Sequence, residues 1–291
     1  MNFKYKNLKT GVLQIMCICA VLVLTNCNTD ETQEVAQLTN LVWQDEFNVD
    51  GPLDQTRWTY DLGDGTAQGL PAGWGNNELQ YYTDRPENAN VENGVLVITA
   101  DEESFMGSNY TSARITTQGL FEQQYGRFEA RIRLPVGKGI WPAFWLLGND
   151  CDENPWPQCG EIDIMEYLGN APTVVLGSVH GPGYNAGDSI SREYTLENDR
   201  FDEGFHIFGI EWGPNYINYY VDGDLYQTIT PETTADEAIT FNAPDNAGEW
   251  VFNRPFYIII NMAVGGSLPG APNAETEFPQ SMYVDYVRVY N

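Results

Sequence analysis

The densest chemistry in the chain lies in Gly160-Glu161-Ile162-Asp163-Ile164-Met165-Glu166-Tyr167-Leu168-Gly169, three carboxylates set among apolar residues. Such interleaving predicts a strand, whose side chains alternate between two faces. Glu161 and Asp163 then share a face, while Glu166, five residues from Glu161, points to the other. One extra residue repairs this. A β-bulge at Ile164-Met165 returns Glu166 to the face of the other two, and bulges are frequent beside active sites. Three unneutralised acids in a row repel one another, so some hold protons while others stay charged. Glycoside hydrolysis needs that division. A retaining glycosidase sets a nucleophilic carboxylate about 5–5.5 Å from a protonated acid, one attacking the anomeric carbon and the other protonating the leaving oxygen. Asp163, between them, is placed to hydrogen-bond Glu161 and tune its ionisation. On the residues alone two other readings stay open: a solvated acidic face, and a cation site of hard oxygen ligands such as calcium takes.

The elements that must position these acids are strands. In Gly126–Leu134, Phe128, Ala130, Ile132 and Leu134 alternate with Arg127, Glu129, Arg131 and Arg133, the pattern of a half-buried strand. Tyr216–Val221, Asp222-Gly223 and Leu225–Ile229 predict a hairpin, because Asp-Gly tolerates the positive φ of a tight turn. Val95–Ala100, Ile207–Trp212, Phe256–Asn261 and Tyr283–Tyr290 are further strands, and no long stretch carries a helical stripe. With 28 glycines and 16 prolines between short strands, the expected class is all-β, two packed antiparallel sheets in a sandwich. Trp141, Ala143 and Trp145 share strand parity, so two indoles can flank a small residue that leaves room for a sugar ring. The same indoles beside Leu146-Leu147 also suit a core.

Residues 1–27 are expected to be a targeting segment. Lys4, Lys6 and Lys9 precede a mostly apolar run, Gly11 to Thr25, too short and wrongly flanked to span a bilayer. Leu24-Thr25-Asn26-Cys27 matches the signal after which bacterial export machinery cleaves and lipidates cysteine. Cys27 is therefore the expected lipidated first residue, tethering an exported protein to a membrane, most simply the outer membrane. An ordinary secretory signal is the alternative. Residues 28–39 are expected to be a flexible tether and 40–291 one domain. The chain carries a net charge of −27, and loss of the three leading lysines makes the domain more acidic. That repels nucleic acid and anionic lipid and favours a neutral polymer as partner. A monomer is expected. Cys151 and Cys159 form an even pair, expected as a disulfide just before Glu161, with two free thiols as the alternative. Only His180 and His206 are present, too few for a histidine-rich metal site.

Glu-Ile-Asp-Ile-Met-Glu resembles the signature of glycoside hydrolase family 16 in its Glu-x-Asp-x-x-Glu form, typical of laminarinases; the form lacking the Met165 residue is typical of lichenases. The resemblance extends through Trp43-Gln44-Asp45-Glu46-Phe47, Trp74-Gly75-Asn76-Asn77-Glu78-Leu79-Gln80-Tyr81-Tyr82, Tyr125-Gly126-Arg127, Trp141-Pro142-Ala143-Phe144-Trp145, Asn261-Met262-Ala263-Val264-Gly265-Gly266 and Asp285-Tyr286-Val287-Arg288-Val289-Tyr290. It implies a jelly roll and retaining hydrolysis of β-1,3-glucan without a catalytic cofactor, with Glu161 as nucleophile, Asp163 as its assistant and Glu166 as acid/base. It also implies that Trp141 and Trp145 line subsites, that His180 donates to a substrate hydroxyl or to Glu166, and that Arg114, Asn76 and Trp212 contact sugar. Glu46, the Gly94 carbonyl and Asp285 resemble a structural calcium site. Leu268 stands where relatives commonly have tryptophan, which bears on a distal subsite. A surface glycan-binding lipoprotein and enzymes acting on agar or carrageenan are the competing functions.

Overall fold

A computed structural model describes residues 38–237 and 245–291. The signal segment, Cys27 and most of the tether lie outside the described residues. The described chain forms the expected all-β sandwich. One sheet has seven strands, in spatial order Ile190–Thr195, Val174–His180, Glu161–Tyr167, Ile140–Gly148, Phe256–Val264, Arg114–Thr116 and Thr59–Tyr60. The other has ten. Eight run in the order Asp224–Ile229, Tyr216–Val221, His206–Gly213, Gly126–Arg133, Gln280–Tyr290, Val95–Phe105, Ser108–Ser112 and Gln80–Tyr82. Leu41–Asp45 and Ala89–Glu92 pair onto this sheet from the side.

Alternation decides which side chains meet between the sheets. Phe128, Ala130 and Ile132 are fully buried, as their parity requires, and join Phe208, Ile210, Val287 and Val289 from neighbouring strands. The facing sheet contributes Phe144, Leu146, Ile162, Ile164, Ile258 and Ile260 to the same core. Each such large side chain contributes about 1.5–3 kcal/mol when buried from water, so the apolar parity of every strand also fixes which residues it presents outward.

Turn chemistry behaves as the residues require. Asp222 and Gly223 both take positive φ, 53° and 90°, and close the predicted hairpin between Tyr216–Val221 and Asp224–Ile229. Among the described residues the α-helix is one short piece, Pro231–Glu237, with proline in its first turn where a missing N–H costs nothing. The first strand, Leu41–Asp45, pairs antiparallel with the last, Gln280–Tyr290.

Candidate active site

The acids stand on Glu161–Tyr167, the third strand of the seven-stranded sheet. Against Ile140–Gly148 its register runs Asp163 to Trp145, then Met165 to Phe144 and Glu166 to Ala143. Ile164 and Met165 thus occupy the space of one residue, which is the predicted bulge. The driving force is apolar: Ile162, Ile164, Met165 and Tyr167 are all buried between the sheets. Two successive apolar residues reach the core only if the backbone buckles, and Glu166 then emerges beside Asp163 on the outer face. Gly160, with φ 79°, makes the left-handed turn into this strand; a Cβ there would come within 3.0 Å of Phe256 and Val251.

Directly paired residues of neighbouring strands share a face, so the register lays out the site in rows. One row runs Leu147, Glu161, His180 and the next Trp145, Asp163, Ser178. A third runs Arg114, Asn261, Ala143, Glu166, Leu176. Ala143 is the small residue between the two indoles of Trp141 and Trp145, as their shared parity predicts.

Each carboxylate has defined partners. Trp156 Nε1–H donates to Glu161 Oε2 at 3.0 Å, and Trp141 Nε1–H donates to Glu166 Oε1 at 3.1 Å. His180 Nε2 lies 3.0 Å from Asp163 Oδ2 and 3.6 Å from Glu161 Oε1. Burial, followed by repulsion from Asp163, pushes Glu161 up to about 7 and Glu166 up to about 8. Both carboxyls thus hold protons above the ordinary carboxylate range, and charge on Glu161 raises Glu166 further, the separation that an acid beside a nucleophile needs. Burial opposes a charge on His180, but Glu161, Asp163 and Glu166 outweigh it and push the imidazole up to about 9. The Ala186 amide donates into His180 Nδ1 at 3.1 Å. In the neutral ring that accepts this bond the hydrogen sits on Nε2, and the protonated ring that the three acids favour keeps that Nε2–H, 3.0 Å from Asp163 Oδ2.

Glu161, Asp163 and His180 bring their ligand atoms within 4.8 Å of one another. Among the described residues this is the one cluster of that kind, and it coincides with the acid site.

Beside the acids a polar relay fixes Trp145. Its Nε1–H donates to Asn261 Oδ1 at 2.7 Å, and Asn261 Nδ2 donates to Tyr82 OH at 3.0 Å. Tyr82 OH and Gln80 Nε2 both donate to Glu78 Oε2, at 3.3 Å and 2.6 Å. Burial raises the Glu78 carboxyl, offset by these donors and by Arg114. Arg114 lies over Trp74 and Trp145, 4.5 Å and 4.8 Å from their ring centroids, with Nε donating to Asp61 at 2.8 Å. Asn76 is exposed at the rim and donates to Glu78 Oε1 at 3.3 Å. Gly266, with φ 113°, passes so close that a Cβ would come 2.9 Å from Trp141.

Residues 76–253 match the family model of glycosyl hydrolases family 16. The chain is 40% identical over 287 residues to a beta-glucanase of Rhodothermus marinus, covering 97% of this chain and 96% of that protein. The chain belongs to glycosyl hydrolases family 16. Its fold follows that of the laminarinase catalytic domain of Thermotoga maritima MSB8, with TM-score 0.79 and 51% identity over 87% of this chain and 98% of that one. The endo-beta-1,3-glucanase of Pyrococcus furiosus gives TM-score 0.79 and 47% identity over 86% and 94% of the two chains.

Three expectations for this family 16 site need correction. Trp212 does not reach sugar: it is 1% exposed, donates from Nε1 to the Phe252 carbonyl at 3.1 Å and packs on Tyr125 and Phe256. Its parity with Ile210 puts it in the core of the ten-stranded sheet. Of the two partners expected for His180, Glu166 is not beside it: Nε2 lies next to Asp163 and Glu161, because the bulge carries Glu166 one row further along the strand and leaves Leu176 opposite it, while the expected reach to a substrate hydroxyl is untouched by this. Glu46, Gly94 and Asp285 do not fit a calcium ion as they stand. Both Glu46 oxygens accept from Arg288, at 2.7 Å and 2.9 Å, and Asp285 accepts from Arg131 at 2.7 Å. Arginine supplies the positive charge that an ion would bring.

The disulfide between Cys151 and Cys159 is formed. The loop it closes carries Trp156, a contact of Glu161 that the sequence reading missed although it lies five residues before that acid. Asn261 and Glu78 stood within quoted motifs, but nothing in the pattern showed that both serve Trp145.

Proposed function

We propose that this family 16 enzyme is an endo-acting, retaining β-1,3-glucanase that hydrolyses laminarin and also accepts mixed β-1,3/1,4-glucan. Glu161 is the nucleophile, Glu166 the acid/base and Asp163 the residue that tunes Glu161. The observation that carries this reading is the bulge at Ile164-Met165, which sets Glu161, Asp163 and Glu166 on one face, Asp163 between the two. In the first half-reaction a Glu161 oxygen bonds to the anomeric carbon as the leaving oxygen departs with the Glu166 proton. In the second, water attacks that carbon, Glu166 takes the water's proton, and the glycosyl bond's electrons return to Glu161.

Trp141 and Trp145 form the sugar platform, while Arg114 and Asn76 offer donors to hydroxyls at its edge. His180, beside Asp163 and Glu161, offers a donor to a substrate hydroxyl. The names carried by the relatives, beta-glucanase, laminarinase and endo-beta-1,3-glucanase, support the substrate. The strong negative charge supports a neutral polymer over a sulfated one. We propose further that the enzyme is exported and anchored through lipid on Cys27, at the outer membrane, as a monomer. The lysine-led apolar run ending at Cys27 supports this. Among the described residues no helix is long and apolar enough to cross a membrane.

A panel of laminarin, mixed-linked glucan, agar and carrageenan, read by reducing-sugar release and product chromatography, tests the substrate. Oligosaccharide series from the two glucans are expected. Release from the galactans alone, or binding of laminarin without release, contradicts the proposal.

A further inference from the structure

Glu161 has two oxygens with different surroundings. Oε1 faces His180 at 3.6 Å, beyond hydrogen-bonding reach, and Oε2 accepts from Trp156 Nε1–H at 3.0 Å. The donor thus holds one oxygen of the carboxylate and leaves the other without a hydrogen bond among the described residues.

Trp156 is not placed there by a strand. It stands in the loop that the Cys151–Cys159 disulfide closes, with Cys159 fully buried at one end. The other end is tied down as well: Asp150 pairs with Arg254 and accepts from Asn154, and the Asn149 amide donates to the Pro255 carbonyl at 3.1 Å. The indole is 43% exposed, with its ring centroid 6.0 Å from that of His180. A large side chain in an exposed loop, stapled at its base and aimed by its one polar atom at a carboxylate, is not explained by core packing.

We propose that Trp156 is a positioning residue for the nucleophile: its indole N–H fixes Glu161 Oε2 and so presents Oε1 to the anomeric carbon. This rests on Glu161 being the nucleophile. In the first half-reaction an Oε1 lone pair forms the new bond while the leaving oxygen departs with the Glu166 proton, and Oε2 becomes the ester carbonyl. In the second, the Trp156 N–H stabilises the carboxylate charge that returns as the carbon–Oε1 bond breaks. The same donor favours the charged form of Glu161 against the burial that raises it. Trp156 thus sets orientation and ionisation through one contact.

Trp156→Phe keeps an aromatic ring and removes the donor, so it is compared with the unaltered enzyme and with Glu161→Gln, on laminarin across pH. The expected result is a kcat lower by about 10- to 100-fold, as for a lost hydrogen bond to a charged group. KM should not rise, and the acid limb of the pH profile should move to higher pH, because an undonated Glu161 keeps its proton longer. The thermal melt should be unchanged. Unchanged kcat and acid limb in Trp156→Phe, with Glu161→Gln inactive, overturns the positioning role alone. A raised KM with unchanged kcat also overturns it and makes Trp156 a sugar platform. Turnover retained by Glu161→Gln instead removes the nucleophile assignment, and the inference with it.

Discussion

At the scale of single residues, the two carboxylates proposed as nucleophile and acid are chemically alike and are separated by their surroundings. Both are buried near Asp163, yet Glu161 is raised to about 7 and Glu166 to about 8. The nucleophile must be charged and the acid protonated, so activity is lost below the lower value, where Glu161 takes up a proton, and above the higher, where Glu166 gives one up. The kcat/KM profile on laminarin is therefore expected to be a bell whose two limbs both lie above the ordinary carboxylate range, each belonging to the coupled pair. Both folded-state values lie above the ordinary carboxylate value, so the folded protein binds more protons than the unfolded one between about 4.5 and 8 and loses stability as pH rises through that window. Full activity down to about pH 4 would mean that burial does not hold these two carboxyls above the ordinary carboxylate range.

At the scale of the strand, the site depends on where one extra residue is absorbed. The acids were legible in the sequence because Glu161, Asp163 and Glu166 fail simple parity by one position, and only a bulge reconciles them with one face. Ile164 and Met165 show why it forms there, since both are buried. Deleting Met165 shortens the run to regular alternation, so all three acids keep their face while about 2–5 kcal/mol of methionine packing is lost. That variant should cleave laminarin with a lowered melting temperature. Inserting one alanine between Met165 and Glu166 should turn Glu166 toward the core and abolish cleavage, with β-sheet circular dichroism retained. Equal activity in both variants would mean that register does not place the acid. Side-chain reach was less legible than register. Trp212 has the residue type of a subsite wall but the parity of a core residue, and Trp156 has no strand parity at all. Periodicity locates residues on strands, whereas a loop side chain is placed by its staple and its anchors.

At the scale of the whole molecule, the fold is a frame that brings distant segments to one surface. The Arg114, Asn261, Ala143, Glu166 row joins two consecutive strands, Ile140–Gly148 and Glu161–Tyr167, to one earlier and one much later in the chain, and the relay from Trp145 to Glu78 reaches back into the segment before them. Sandwich class and strand parity could be read from alternation and turn residues, because these are local. The relay could not, since Asn261 and Tyr82 meet only after the sheets close. The same distance explains Glu46 and Asp285. As isolated acids they suit a cation, but the folded edge brings Arg288 and Arg131 to them. In this frame Glu161 is the proposed covalent nucleophile. A 2-deoxy-2-fluoro laminari-oligosaccharide with an activated leaving group tests it most directly, by slowing release of the intermediate so that peptide mass spectrometry can locate the sugar. The account predicts one glycosyl group, on Glu161. A label on Glu166 or Asp163, or turnover of the reagent with no covalent intermediate, would contradict it.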